Sequence, residues 1–277
     1  MGDPELDLLL RVPGELPLPE VGPRVVAALR RLRGADRRET ARLEGWCELL
    51  ARRLRGEPTP LPADPLQRPT ILYLDGFEDR AWHDARRYPV TGVLEQAFTA
   101  VRAEFFERTR SPERWAEYRE GVAADRKWRA VWFYRYGRRQ AETAALYPRT
   151  SALIDELSGP DGPLSSKLGD AFLSRLEAFG RIPPHNGLCN ISLVCHLALA
   201  IPERCGIRVG AESREWEEGK CLVFDDTFEH ETWNESASDR YVLVLPLWQG
   251  GVSPVEREFM TLITAWLNRL AATQEAG

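Results

Sequence analysis

From Asn190 to Trp248 the chain passes through short apolar stretches broken by turn residues: "NISLVCHLALAI", "CGIRVG", "KCLVFDD" and "RYVLVLPLW". Runs of this length, rich in Val, Leu and Ile and closed by Gly, Asp or Asn, read as strands, and several in close succession pair with one another. Upstream, "WRAVWFYRYG" reads as an aromatic strand. Helical spacing lies on the flanks. "VTGVLEQAFTAVRAEFFERT" carries an apolar stripe at Val93, Leu94, Phe98, Val101 and Phe105, "RTSALIDELSG" reads as a second helix, and "EREFMTLITAWLNRLAAT" closes the chain as a third. The pattern predicts a mainly β fold with flanking helices, a β-sandwich or jelly roll.

Residues 1–67 have a different texture. After a proline-rich start, Val25, Val26, Leu29 and Leu32, then Leu43, Trp46, Leu49 and Leu50, recur at helical spacing among ten arginines interleaved with acidic residues. Such a face is normally solvated. "GEPTPLPADPLQRP" follows as a linker whose prolines resist regular structure. The expected organisation is a helical N-terminal segment and linker over 1–67, packed on the core or mediating dimerisation, and one β domain over 68–277, as a monomer or homodimer.

A net charge of −5 disfavours a nucleic-acid partner held by phosphate contacts. No apolar run is long enough to span a membrane and the start lacks a secretory signature, so a cytoplasmic protein is expected. Lysine is confined to Lys127, Lys167 and Lys220 against abundant arginine, a bias that suggests a GC-rich, bacterial genome. Cys47, Cys189, Cys195, Cys205 and Cys221 form an odd set without a C-x-x-C pair and read as free thiols.

Three of the four histidines, His185, His196 and His230, fall within the strand-rich region; the fourth, His83, sits in the charged stretch "DRAWHDARR" and reads as exposed. His185, in "PPHNGLCN", is placed at a bend by prolines and glycine. Strand alternation puts Leu193, Cys195, Leu197 and Leu199 on one face of "NISLVCHLALAI" and Ser192, Val194, His196, Ala198 and Ala200 on the other. Small residues around one imidazole make a cavity wall. Arg240 shares a face with Val242 and Val244, so its charge calls for an anionic ligand. Paired histidines, a buried arginine and a jelly roll together suggest non-haem iron with an oxoacid. The usual facial triad needs a carboxylate two residues after the first histidine, where this chain has Gly187; Asp225 and Asp226 read as structural residues at a strand end.

The segments "PHNGLCN", "CHLALAIPERCGIRVG", "WEEGKCLVFDDTFEHETWN" and "DRYVLVLPLW", with "PTILYLDGF", "KWRAVWFYRYG" and "YPRTSALIDELSG", resemble the aspartyl/asparaginyl β-hydroxylase family over roughly residues 68–262. The resemblance implies a double-stranded β-helix (jelly roll) core and an iron(II)- and 2-oxoglutarate-dependent dioxygenase that consumes O2. It also implies an iron site of two histidines with a glycine in the carboxylate's place. By matching position, His185 and His230 are the implied metal ligands and catalytic centre. Ser174, His196 and Arg240 are the implied contacts of the oxoacid.

The chain departs from the family where an "R-L-R-x-H" run commonly leads to the histidine that His196 matches. Here the run is "SLVCH", with Ser192 and Val194 in place of two arginines. Losing two charge-assisted contacts weakens recognition of a substrate carboxylate by kilocalories, unless Arg135, Arg138, Arg139 or Arg208 compensates. The expected substrate is accordingly not an ordinary aspartyl side chain. A small molecule, a carrier-tethered amino acid or a short peptide in bacterial biosynthesis is expected, lined by Ser192, Val194, Arg135 and Arg208. Three other readings stay open: a non-catalytic jelly-roll binding protein, a halogenase using the position left vacant at Gly187, and a zinc hydrolase built on His185, His196 and His230.

Overall fold

A computed structural model of the chain describes residues 18–34, 40–108, 115–118, 127–159 and 161–275. The proline-rich start over residues 1–17 lies outside the described residues. Among the described residues twelve strands form two antiparallel sheets. The larger has the order β1 (Trp82–His83), β10 (Cys221–Phe224), β7 (Ser192–Ala200), β12 (Arg240–Trp248), β5 (Ala171–Leu176), β3 (Trp128–Arg135) and β2 (Ala116–Glu117), with β4 (Arg138–Arg139) hooked onto β3. The smaller has the order β6 (Arg181–His185), β11 (His230–Asn234), β8 (Cys205–Val209) and β9 (Glu212–Arg214). From β5 to β12 the chain passes back and forth between the sheets, with β8 and β9 as one hairpin in the smaller, in the manner of a jelly roll, the expected core.

Alternation divides the apolar residues of the larger sheet. Leu193, Cys195, Leu197 and Leu199 of β7 and Leu243, Leu245 and Leu247 of β12 face outwards, onto α3 (Pro89–Arg108) and α5 (Pro148–Leu157). A short α4 (Ala141–Leu146) precedes α5. Ala198, Val242 and Val244 face inwards and meet Ile207 and Val209 of the smaller sheet. Of the small residues expected on the inner face of β7, Val194 and Ala198 wall the space between the sheets.

The stripe on α3 is narrower than the spacing suggested. Leu94, Val101 and Phe105 are buried and Phe98 packs partly, but Val93 is 43% exposed and Val90 is buried instead. His83 also differs from expectation: it is only 3% exposed. Pairing opposite Val223 in β10 draws it under cover, and its Nδ1 lies 2.9 Å from the Tyr88 hydroxyl. The charged neighbours that made it look exposed point elsewhere; Asp84 and Arg86, for instance, pair with each other.

Both expected N-terminal helices form, as α1 (Leu18–Arg33) and α2 (Ala41–Leu54). They pack with α6 (Pro254–Glu275): Val25, Leu29, Leu43 and Trp46 share a cluster with Leu74, Phe259, Ile263 and Trp266. Arg42 ties the layers through a two-pronged pair with the buried Glu256 (2.7 and 2.6 Å) and stacks on Phe77 at 4.9 Å. Residues 57–66 carry no helix or strand, as their prolines dictate, and Gln67 then bridges to Phe228. All five cysteines are free. Among the described residues no helix is long and apolar enough to cross a membrane.

Candidate functional site

Strand β6 contains Pro183 and Pro184, which cannot donate to a ladder. It is tolerated because β6 is an edge strand, and both prolines are exposed. This edge delivers His185, the last residue of β6, directly opposite His230, the first of β11. The two rings are 4.0 Å apart between centroids. Each Nδ1 meets a carbonyl two residues back in the chain, Pro183 O at 2.8 Å and Phe228 O at 3.0 Å. A carbonyl only accepts, so both Nδ1 atoms carry the proton and both Nε2 lone pairs remain for a ligand. Burial pushes both imidazoles below the ordinary histidine range, and the adjacent His185 helps bring His230 down to about 3. Both are neutral, the state that binds a metal.

Asp225 has the structural role expected: it is buried, accepts from the Thr227 amide at 2.9 Å and hydroxyl at 2.6 Å, and from Gln67 Nε2 at 3.3 Å. Asp226 does something the sequence reading missed. Its backbone oxygen takes the Gly187 amide proton at 2.7 Å, and its carboxylate lies where a Cβ on Gly187 would project. The glycine itself was the signal. Burial, then the charge of Asp225, pushes the Asp226 carboxyl up to about 7. Among the described residues no third His, Cys, Asp or Glu joins the two histidines in a metal-holding group.

Ser174, His196 and Arg240 come together on β5, β7 and β12, adjacent strands of the larger sheet. Arg240 is 1% exposed, donates from Nη1 to Ser174 Oγ at 3.2 Å, and lies over the Trp216 ring at 5.1 Å. Its Nε has no hydrogen-bond partner, and among the described residues it makes no ion pair. Burial without a counter-charge pulls this guanidinium down to about 10. Ser174 Oγ also accepts from Trp128 Nε1 at 3.0 Å, which leaves its own proton to donate. Trp216 Nε1 donates to His196 Nδ1 at 3.3 Å, so the His196 proton sits on Nε2. Burial first, then the charge of Arg240, holds His196 well below the ordinary range. Trp216 was not singled out from the sequence; in "REWEEGK" nothing but its position in space marks it.

A buried guanidinium without a carboxylate, a hydroxyl and an imidazole N–H make a receptor for an oxoacid anion. Two neutral imidazoles with free Nε2 atoms make a donor set for a divalent metal. The residues present fit both groups.

The neutral positions on β7 are filled. Ser192 Oγ lies 2.7 Å from Ser165 Oγ, and Val194 packs into the inter-sheet core. Arg208, on β8 beside His230 of β11, is engaged by acidic side chains. Its Nε and Nη2 engage Glu231 (2.6 Å) and Glu229 (2.9 Å), and its Nη1 the Gly210 carbonyl (2.7 Å). Arg139 pairs with Asp155, and Arg138 donates to the Asn268 carbonyl at 2.7 Å. Arg135 lies over the Trp132 ring at 4.4 Å. Trp128, on the same inner face as Trp132, is 6.2 Å from the His185 ring.

A family profile described as Aspartyl/Asparaginyl beta-hydroxylase matches residues 95–250. Among similar proteins, the Mus musculus aspartyl/asparaginyl beta-hydroxylase is 34% identical over 137 residues, 49% of this chain and 18% of that one. Aspartate beta-hydroxylase domain-containing protein 2 of Rattus norvegicus is 29% identical over 211 residues, covering 72% of this chain and 60% of that one. The ornithine lipid ester-linked acyl 2-hydroxylase of Rhizobium tropici is 28% identical over 170 residues, 58% of each chain. This chain thus spans between about a fifth and three-fifths of the length of these relatives.

Proposed function

Since the chain belongs to the aspartyl/asparaginyl beta-hydroxylase family, we propose that it is an iron(II)- and 2-oxoglutarate-dependent dioxygenase that hydroxylates an unactivated C–H bond. His185 and His230 hold the metal through Nε2. Iron with its oxoacid supplies the oxidising power: O2 and 2-oxoglutarate give succinate and carbon dioxide while the substrate C–H becomes C–OH.

The protein's own part is to bind, orient and keep water out. Arg240 and Ser174 hold the distal carboxylate of the oxoacid, and His196 donates from Nε2 to its other end. Trp128, Phe224 and Val244 wall the site with apolar surface. The observation that carries this reading is Arg240: a guanidinium 1% exposed and without a carboxylate is costly unless an anion completes it.

Ser192 and Val194 leave the mouth without the cations that suit an aspartyl side chain. The Rhizobium tropici relative is named for a lipid acyl chain, a substrate with no such side chain. A small molecule, a carrier-tethered amino acid or a short peptide in a bacterial biosynthetic route fits these neutral walls. Asp226, packed where a side chain at position 187 would stand, speaks against a halide in that space.

Anaerobic titration of the metal-free protein with iron(II) and 2-oxoglutarate tests the reading. A visible charge-transfer band should appear in the wild type, vanish in His185→Ala and weaken in Arg240→Ala. A folded, iron-supplied wild type without the band refutes the oxygenase.

A further inference from the structure

We propose that Arg135 is the anchor for an anionic group, a carboxylate or phosphate, on an elongated substrate whose apolar or aromatic body lies along Trp132, Tyr118 and Trp128. The proposal rests on the oxygenase reading for the reaction, and on Arg135's own surroundings for the anchor.

Four arginines could stand in for the cations missing at Ser192 and Val194. Three are engaged: Arg208 by Glu231 and Glu229, Arg139 by Asp155, and Arg138 by the Asn268 carbonyl. Among the described residues Arg135 makes no hydrogen bond or ion pair, and its buried Nε has no partner. Asp170 is its neighbour across the register, since Tyr134 pairs with Ala171. Yet Asp170 gives one oxygen to Trp132 Nε1 (3.0 Å) and the other to the Tyr136 amide (2.6 Å). The carboxylate thus fixes the platform beneath the arginine and leaves the guanidinium for something else.

Register puts that guanidinium at the right end of the sheet. Val194 pairs with Pro246, Val244 with Phe172, and Ala171 with Tyr134. Position 194 on β7 and position 135 on β3 therefore share one row, three strand spacings or about 14 Å apart. The cation has moved along the rim from β7 to β3.

The arginine is held in place before any ligand arrives. It stacks over Trp132 at 4.4 Å and Tyr136 at 5.4 Å. The β3–β4 turn is made by Tyr136 and Gly137 at φ of 50° and 73°. A tyrosine in that region is strained, and a Cβ on Gly137 would collide with the Lys167 carbonyl. Strain kept in a tight hairpin is a recurrent mark of a functional turn. From Trp132 the aromatic path continues to Tyr118 (5.8 Å), stacked on Trp128 at 3.7 Å, and Trp128 lies 6.2 Å from His185. A planar cation at one end of an aromatic path and the paired imidazoles at the other select an acid with an apolar body.

The test uses two fluorescent probes on the whole 277-residue chain: 8-anilinonaphthalene-1-sulfonate, an aromatic anion, and N-phenyl-1-naphthylamine, its neutral counterpart. Arg135→Gln should weaken the anion at least about tenfold and leave the neutral probe within about twofold. Arg138→Gln should change neither. Decanoate or decyl phosphate should displace the anionic probe from wild type, and the stronger competitor names the head group. If Arg135→Gln misfolds, Arg135→Lys, which keeps the charge, should fold and retain most of the anion binding. An anionic probe indifferent to Arg135→Gln overturns the proposal. So does a folded Arg135→Gln that loses the iron–oxoacid charge-transfer band, because Arg135 would then serve the cosubstrate. A wild type lacking that band while showing the probe result would sink the oxygenase reading and leave the anchor standing.

Discussion

The carboxylate of Asp226 occupies the volume that a Cβ on Gly187 would enter, and the Gly187 amide is bonded to the Asp226 carbonyl at 2.7 Å. The two residues are fitted to each other beside the histidine pair. Gly187→Ala should therefore cost about 1–3 kcal/mol, by overpacking a site with no room to yield. Asp226→Ala in the same chain should return most of that loss, a coupling that separate sites would not show. Chemical denaturation of the four proteins in the cycle checks it. Additive effects would mean that the carboxylate swings aside freely.

Arg240 is expected to oppose stability and serve binding. Its fall to about 10 on burial corresponds to a cost of about 3 kcal/mol at most. Arg240→Met, similar in length and uncharged, should raise the melting temperature of the metal-free protein by a few degrees. The same variant should lose oxoacid binding, measured by titration of 2-oxoglutarate with manganese(II) in place of iron. A variant less stable than wild type would show that the stacking on Trp216 and the bond to Ser174 outweigh desolvation.

Much of this site could be read from residue order alone, and the reasons are local. Alternation along β7 and β12 puts His196 and Arg240 on the inner face whatever surrounds them, because side chains alternate with period two. The histidine pair was less accessible. Strand β6 holds two prolines and β11 reads "HETWN", so neither shows an apolar period, and their pairing comes from the smaller sheet as a whole. His83 was misplaced because its chain neighbours are charged while its spatial neighbours, Val223 and Tyr88, are not. Val93 was misplaced because one position of rotation on α3 separates it from Leu94, and only the packed sheet decides which is buried. Trp216 and Asp226 act through contacts that no spacing rule encodes.

Trp216 links two of the groups proposed to hold the oxoacid, donating to His196 Nδ1 while its ring lies under Arg240. Trp216→Phe keeps a ring and removes the donor; Trp216→Leu removes both. Loss of the hydrogen bond should weaken 2-oxoglutarate binding by about 1 kcal/mol, and loss of the ring by about as much again. The effect should fall on the KM for 2-oxoglutarate more than on kcat at saturation, because the indole positions groups that bind the oxoacid. Equal losses in kcat with KM unchanged would contradict that assignment.

His83 predicts a pH dependence away from the His185–His230 pair. Burial pushes its imidazole below the ordinary value of 6.5, and its Nε2 is buried without a partner. Protonation would place a charge in the core, a cost that the nearby Glu78 and the Arg80 backbone only partly offset. Between the folded and unfolded values the unfolded chain binds more protons. Stability from this group is therefore complete above 6.5 and is lost as the pH falls through the folded value, with a limiting slope of about 1.4 kcal/mol per pH unit. His83→Gln, which can still bond the Tyr88 hydroxyl, should show a shallower acid limb in denaturant melts than wild type. Proton NMR of the wild-type ring should show titration below the ordinary range. An imidazole that titrates at 6.5 or above, or parallel acid limbs for the two proteins, would mean that water reaches His83 and that its burial contributes nothing to the acid sensitivity of the fold.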